Sequence, residues 1–412
     1  MKTINRIIYT ILIWMVGTVA SKAQVSVFPL DSVLAKVVTG PGLQAYDARI
    51  EAENAYAKGA KSLPAPKISA GQYQTPYQLN PNTGSFMISA EQMFTNPAKL
   101  RAKQDYMNGV AKVTAEDKNY LKNQLIARTR GYYYNMGIIE RKRALLENTR
   151  GLLTYMLKSA NIRLTYGKEK INNIYKAKAE LYELDNNQEQ FKNDLQQQRI
   201  MLNILMNRDK QIDFSVDTTL LVKDYETSVT DTTDLATRRS DIKGINQSIS
   251  LQTLNAKMEY NQRKPDFGLQ AGHMFSYGGM ANQYILMGSV TIPVFSWSSK
   301  EYKANLKGIS YQVEELKQKK LDLINQAEGT LIGLKAAIKS KKLLLKNYNQ
   351  NIIPALQNNY KTSLLAYEQN TGEMQVVLEG LKALQMARME ALDRLGELLQ
   401  LQVDYERENE KY

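Results

Sequence analysis

Apolar residues recur at alternating steps of three and four over long stretches of this chain. From Ile174 the series runs Ala177, Leu181, Leu184, Gln188, Phe191, Leu195, Gln198, Leu202 and Leu205, a period that brings one stripe of a helix against a neighbouring helix as a coiled-coil seam. Leu306, Ile309, Val313, Leu316, Leu323, Ala327, Leu334 and Ile338 keep the same period, as do Val377, Leu381, Leu384, Ala391, Leu395 and Leu398. Long helices over 98–164, 171–207, 298–366 and 374–408 follow from these patterns. Proline placement agrees. Seven prolines fall between Pro29 and Pro97, and then only Pro265, Pro293 and Pro354 remain, so the seams run through stretches almost free of helix breakers.

A period of two appears in four shorter segments. In 85–94, Phe86, Ile88, Ala90 and Phe94 share one face while Ser85, Ser89 and Glu91 share the other. In 265–276, Phe267, Leu269, Ala271 and Phe275 oppose Asp266, Gly268, Gln270 and Ser276, and in 283–295, Tyr284, Leu286, Val290 and Ile292 oppose Ser289 and Thr291. With 67–73 these read as strands. Each of the longer ones is close to the ~9–11 residues with which a tilted strand crosses a bilayer. The same alternation also suits a soluble sheet packed on a helix.

The pattern occurs twice along the chain. Pro66-Lys67-Ile68 corresponds to Pro265-Asp266-Phe267, Met93-Phe94 to Val294-Phe295, Lys99 to Lys300, and Tyr166-Gly167 to Thr371-Gly372. This spacing predicts two tandem units, each running helix, two strands, long helix, tight turn, helix. The first spans 24–210 and begins with a helix over 31–62. The second spans 233–412 and begins with a helix over 233–264. A Thr/Asp-rich connector, 211–232, lies between them as a loop with a small strand.

The N-terminus bears on the compartment. Lys2 and Arg6 precede an apolar run from Ile7 to Val19, and Ser21-Lys22-Ala23 has small residues where a signal peptidase reads, so 1–23 is expected to be a signal peptide cleaved before Gln24. Losing Lys2, Arg6 and Lys22 takes the formal charge from +13 to +10. No later segment is apolar enough to span a bilayer as a helix, so a membrane-resident form would have to be a closed β-barrel. Four strands cannot close one, because the smallest membrane barrels have about eight. Three copies would bring twelve strands together.

The duplicated set resembles the TolC-like outer-membrane factor family over nearly the whole mature chain. The matching pieces are Ser62-Leu63-Pro64-Ala65-Pro66, the strand-to-helix passages Ile88–Phe94 and Val290–Phe295, and the two glycine turns. Met287–Phe295 followed by Lys300 and Tyr302 is most similar to the branch serving cation-efflux pumps. The resemblance implies a mainly α fold with a small β part. It implies a homotrimer whose twelve-stranded outer-membrane barrel continues into a periplasmic coiled-coil α-barrel. It further implies a passive exit duct, not an enzyme, for an inner-membrane pump of the RND cation-efflux type joined through a periplasmic adaptor. Carried over residue by residue, Tyr166, Gly167 and Lys168 in the first turn and Thr371, Gly372 and Glu373 in the second match the hairpin tips where adaptor hairpins dock. A sharp reversal between two helices commonly needs φ > 0, which gives glycine a physical reason to stand at Gly167 and Gly372. Where the best-known members place acidic residues beyond the second tip to line an aperture, this chain has Leu378 and Leu381 with Glu379 one position off, and Asn173 stands at the comparable place in the first copy.

Other chemistry lacks its usual residues. Cysteine is absent and His273 is the sole histidine, which removes thiolate nucleophiles, disulfides and most metal-ligand sets. Neither a P-loop nor a dinucleotide fingerprint occurs, so no cofactor is expected and energy would come from a partner. The basic residues are interleaved with Glu and Gln through every helix, the pattern of solvated faces and not of a nucleic-acid groove. Met201, Met206, Met386 and Met389 lie in the helical seams, where gap-filling is the usual use of methionine. The competing reading is a periplasmic coiled-coil scaffold with no channel. Neither reading names the transported substrate.

Overall fold

The computed structural model describes residues 27–77, 80, 82–225, 232–293 and 295–410. The expected signal peptide lies outside them. In chain order the elements are β1 (Val27–Phe28), α1 (Leu30–Val38), α2 (Pro41–Gly59), β2 (Lys67–Tyr73), β3 (Ser85–Phe94), α3 (Pro97–Thr165), α4 (Ile171–Leu205), β4 (Ser215–Val216), α5 (Thr232–Arg238), α6 (Ser240–Asn261), β5 (Asp266–Ser276), β6 (Gln283–Thr291), α7 (Ser296–Asn347), a π-helical turn (Tyr348–Ile352), α8 (Ile353–Glu368) and α9 (Met374–Asn409).

Three helices expected to be continuous are interrupted, each for a local reason. The helix expected over 31–62 divides at Thr39-Gly40, because Pro41 takes the first-turn position of α2 and Gly40 is extended before it. The helix expected over 233–264 divides at Arg239, which is also extended. In the third, expected over 298–366, Pro354 has no N–H and its ring crowds the carbonyl four residues earlier. The preceding turn widens, and the Ile353 N–H bonds to Tyr348 O across five residues. The last strand also stops at Thr291, short of Pro293.

The chain forms two compact units, one from residues 27–37, 129–222 and 341–400 and the other from 38–128, 223–340 and 401–410. In the first, the seam residues Ile174, Ala177 and Leu184 of α4 are buried with Leu153, Met156 and Ala160 of α3, Tyr367 of α8 and Val377, Leu381 and Leu384 of α9. Leu195 and Leu202 further along α4 are buried too. β1 and β4 pair in parallel, the Phe28 and Phe214 rings meet edge to face at 5.8 Å, and the Tyr133 hydroxyl donates to Phe28 O at 2.9 Å while accepting the Asp217 N–H.

The second unit holds the antiparallel sheet, ordered β2-β3-β5-β6. Its central pairing joins the two hairpins, with Phe86 opposite Phe275, Ala90 opposite Ala271 and Phe94 opposite Phe267. At the strand-to-helix passages Asp266 accepts the Asn96 N–H at 2.8 Å and pairs with Lys99 at 2.6 Å. Beside the sheet, α2 and α6 pack on the first half of α3, where Thr114 donates to Glu53 and the side chains of Leu251 and Leu254 close on Gly109.

Candidate functional site

The tip of the helical unit consists of the α3–α4 and α8–α9 turns. α3 ends in a Schellman motif: Lys168 N bonds to Arg163 O at 2.9 Å and Gly167 N to Leu164 O at 3.0 Å, with Gly167 at φ 68°. This is the left-handed glycine expected from the sequence. The second turn differs from that expectation. Thr371 N bonds to Ala366 O at 2.9 Å and Asn370 N to Tyr367 O at 3.1 Å, and the left-handed residue is Asn370 at φ 59°. Asparagine tolerates this conformation better than other non-glycine residues. Gly372 serves a different need, since a Cβ there would lie 3.0 Å from Ala366 Cβ and 3.2 Å from Tyr367 N.

One side-chain network ties the two turns together. Arg163, in the last turn of α3, donates to Tyr367 O at 2.8 Å, Glu368 O at 3.0 Å and Asn370 Oδ1 at 3.0 Å, so a cation sits on the carbonyl end of α8. Its guanidinium also lies 4.2 Å from the centre of the Tyr367 ring. Tyr367, 3% exposed, donates its hydroxyl to Glu169 at 2.7 Å, and Glu169 accepts from the Lys170 N–H and the Asn173 amide as well. Burial by itself would raise the Glu169 carboxyl, but the bonds from Asn173, Lys170 and Tyr367 and the nearby Arg163 outweigh it and hold it below the usual glutamate range. Burial and the Glu169 carboxylate push the Tyr367 hydroxyl up.

A carboxylate lowered in the fold contributes stability that is present above its unfolded pKa and is lost as pH falls through the folded value. Amide hydrogen-exchange protection at Lys168 and Thr371 is therefore expected to be constant near neutrality and to fall as pH drops below about 4. Tyr367→Phe should move that loss to higher pH. An unshifted profile in the variant would remove Tyr367 from the network.

Around this network is an open pocket of about 480 Å³ lined by Arg163, Lys170, Tyr367 and Asn370 among others. Of the tip residues named from the sequence, Gly167, Lys168, Gly372 and Glu373 are on its wall, together with Asn173. Tyr166 and Thr371 are exposed but stay off that wall. Glu379 lies away from it on the exposed face of α9, where it accepts from Gln375 at 2.8 Å, and Leu378 and Leu381 are buried in the helical core. Arg163 and Glu169 were not legible as site residues. Only the basic residue in the last turn of α3 hinted at a cap, and its partner carbonyls lie some two hundred positions further along.

The sheet is the second candidate. In its two central strands the burial reverses that of a soluble sheet: Phe267 and Leu269 are 50% and 49% exposed, whereas Ser89 on the opposite face is 4% exposed; both faces of β2 and nearly all of β6 are exposed. Phe86, Ile88, Ala90, Phe94, Ala271, His273, Phe275, Tyr284, Leu286 and Val290 are all on the face shared with Phe267, and all are exposed. The other face carries Ser, Thr, Gly, Gln, Met, the charged Lys67, Glu91 and Asp266, and also Tyr73 and Ile285. β2 and β6 each pair on one side only. Among the described residues no helix is long and apolar enough to cross a membrane, and no cluster of three His, Cys, Asp or Glu suited to a metal occurs.

This architecture has close counterparts among solved structures. The outer-membrane channel OprN aligns over 92% of this chain and 89% of its own at 14% identity and a TM-score of 0.76. CusC, described for its folding and transmembrane channel formation, aligns over 92% and 91% at 13% identity and 0.76, and the outer membrane protein VceC of Vibrio cholerae over 92% and 95% at 13% and 0.72. No family model and no curated protein matches the sequence. The chain has the fold of the TolC-like outer-membrane channels.

Proposed function

We propose that this protein is the outer-membrane exit duct of a tripartite efflux system, a homotrimer whose sheets close a twelve-stranded barrel and whose helices form a periplasmic tube. The observation that carries the reading is the inverted sheet. An exposed face of Phe, Ile, Leu, Val and Tyr with polar and small residues opposite is stable where lipid covers the outside and water fills the inside. The four phenylalanines of β3 and β5 on this face fall in two rows. Phe94 and Phe267 stand at one end of the strands, Phe86 and Phe275 at the other, about 27 Å apart along β5 and about 21 Å apart once the strand is tilted ~40°. That matches the ~25 Å apolar band and flanking aromatic girdles of membrane barrels. The half-paired β2 and β6 edges favour closure through further copies, because an isolated edge leaves backbone donors and acceptors unsatisfied in lipid.

The tips offer the docking surface. Gly167, Lys168, Gly372 and Glu373 around an open pocket support docking of an adaptor's helical hairpin there, with Tyr166 and Thr371 at its margin, and an inner-membrane pump of the RND cation-efflux type would deliver substrate through it. Glu379 is exposed and bonded within its own helix, which supports a solvated glutamate better than an aperture ring. A periplasmic scaffold with no channel would have to cover the apolar sheet face with another protein.

Membrane extraction and electron microscopy of the detergent-purified mature protein test the reading. A three-fold hollow cylinder that resists carbonate extraction is the expected result, and monomeric rods released by carbonate would overturn it. Ala271→Arg places a charge on the exposed face near mid-strand and is expected to cost about 2–4 kcal/mol of membrane-folding free energy, measured by urea titration in liposomes. Gln270→Arg, one residue earlier and facing the other way, should cost far less.

A further inference from the structure

The methionines of the sheet have an unusual distribution. Met87, Met93, Met274 and Met287 are all those present in the four strands, and each falls on the polar face, none on the apolar one. A methionine used only as a hydrophobe would be expected among the exposed Phe, Ile and Leu. Here its neighbours are mainly Ser, Gly and Gln, with Ile285 and Tyr73 the other large side chains of little polarity on that face, and the distinguishing chemistry of methionine is the soft thioether sulfur.

The register sets these sulfurs at successive heights. Met93 is opposite Gly268, Met287 opposite Gln270, and Met87 opposite Met274 itself, so along β5 the steps are about 7 Å and then about 14 Å. Space is cleared for the lowest one, since a Cβ at position 268 would come 2.6 Å from Met93 Sδ. Met280, in the β5–β6 connection, is exposed as well. Met287 is 47% exposed while Met274 is 7% exposed behind its neighbours, so the steps differ in access.

We propose that the polar face of the sheet is a binding ladder for soft monovalent cations, with the methionine thioethers as ligands. Thioether donors select ions such as Cu(I) and Ag(I) over the hard divalent cations that prefer oxygen. Because the chain has no cysteine, no thiolate is present to hold such an ion permanently. Neutral sulfur ligands spaced along the strands suit transient occupancy and passage. As a path through the membrane the ladder rests on the duct reading above; as a binding site it does not.

The test uses silver(I) on the full-length detergent-solubilised protein, with methyl-¹³C-methionine NMR and equilibrium dialysis. Silver is expected to shift the methyl signals of Met87, Met93, Met274 and Met287. The variant with all four changed to Leu, a substitution that preserves volume, should lose at least tenfold in silver affinity while keeping its elution volume and its single-channel conductance for potassium. Equal silver binding by the variant, or shifts confined to the helix methionines such as Met201 and Met386, would overturn the ladder. Absence of any potassium conductance in the unmodified protein overturns the duct reading instead, and silver binding lost with the four methionines would still support the site.

Discussion

Gly372→Pro is expected to abolish export while leaving the assembled protein intact. The Gly372 N–H donates to Ala366 O at 3.0 Å, and proline removes that donor while placing ring carbons where even a Cβ would crowd Tyr367 N at 3.2 Å. Thr371 before it would be driven toward extended backbone, against its own bond to Ala366 O. The α8 end would lose the carbonyl geometry that Arg163 grips, and the pocket wall would change shape. The helical core, built from residues such as Leu153, Ile174 and Val377, does not include the turn, so light scattering should report the unaltered oligomer. Drug and metal-ion tolerance of a host lacking its own duct is the functional readout, and wild-type tolerance would remove the tip from the docking role. Asn370 provides the contrast. Asn370→Gly keeps the left-handed turn and should be neutral, whereas Asn370→Val should cost about 1–2 kcal/mol through backbone strain.

Arg239→Ala is expected to be the most destabilising single change in the sheet-bearing unit, at about 3–5 kcal/mol. Arg239 is 7% exposed and grips Asp241 with two bonds, at 3.0 and 2.6 Å, while also donating to the Glu408 carboxylate at 2.7 Å and carbonyl at 2.9 Å. Its removal leaves the Asp241 carboxylate without its cation and Glu408 with Arg407 alone, at 3.2 Å, beside Glu410, which accepts from the Ser240 backbone and hydroxyl and whose own carboxyl burial already pushes up. A carboxyl raised in the fold favours folding at low pH and loses that contribution as pH rises through its folded value. The variant's deficit should therefore be largest near neutrality and shrink on acidification toward pH 4–5, roughly where carboxylates protonate. Urea unfolding in detergent across that range measures it, and a deficit independent of pH would mean that lost packing and not unpaired charge dominates.

Much of the architecture was legible in the residues. The strand limits 67–73 and 85–94 and the long helices ending at the two turns agree with the alternation of polar and apolar positions, because a side chain's face follows from its spacing alone. The interruptions were less legible. The helix expected over 298–366 ran straight through Pro354, and whether a proline bends, breaks or widens a helix depends on how neighbouring turns can rearrange. The second tip was misassigned in detail for a similar reason: Asn370 and Gly372 both permit unusual backbone, and only the packing of Ala366 and Tyr367 decides which residue turns left-handed and which makes room.

From the sequence by itself came the periods, the two faces of each strand, the seams, the glycine at Gly167 and the loss of most enzymatic chemistry with cysteine. These are one-dimensional properties, set by residue type and spacing. Which face of the sheet stays exposed, and the joining of Arg163 and Glu169 to Tyr367, were decided by tertiary structure alone. So was the alignment of four methionines from three strands on one surface. Each depends on strand register or on helix ends distant in the chain meeting in space, and no local pattern encodes that.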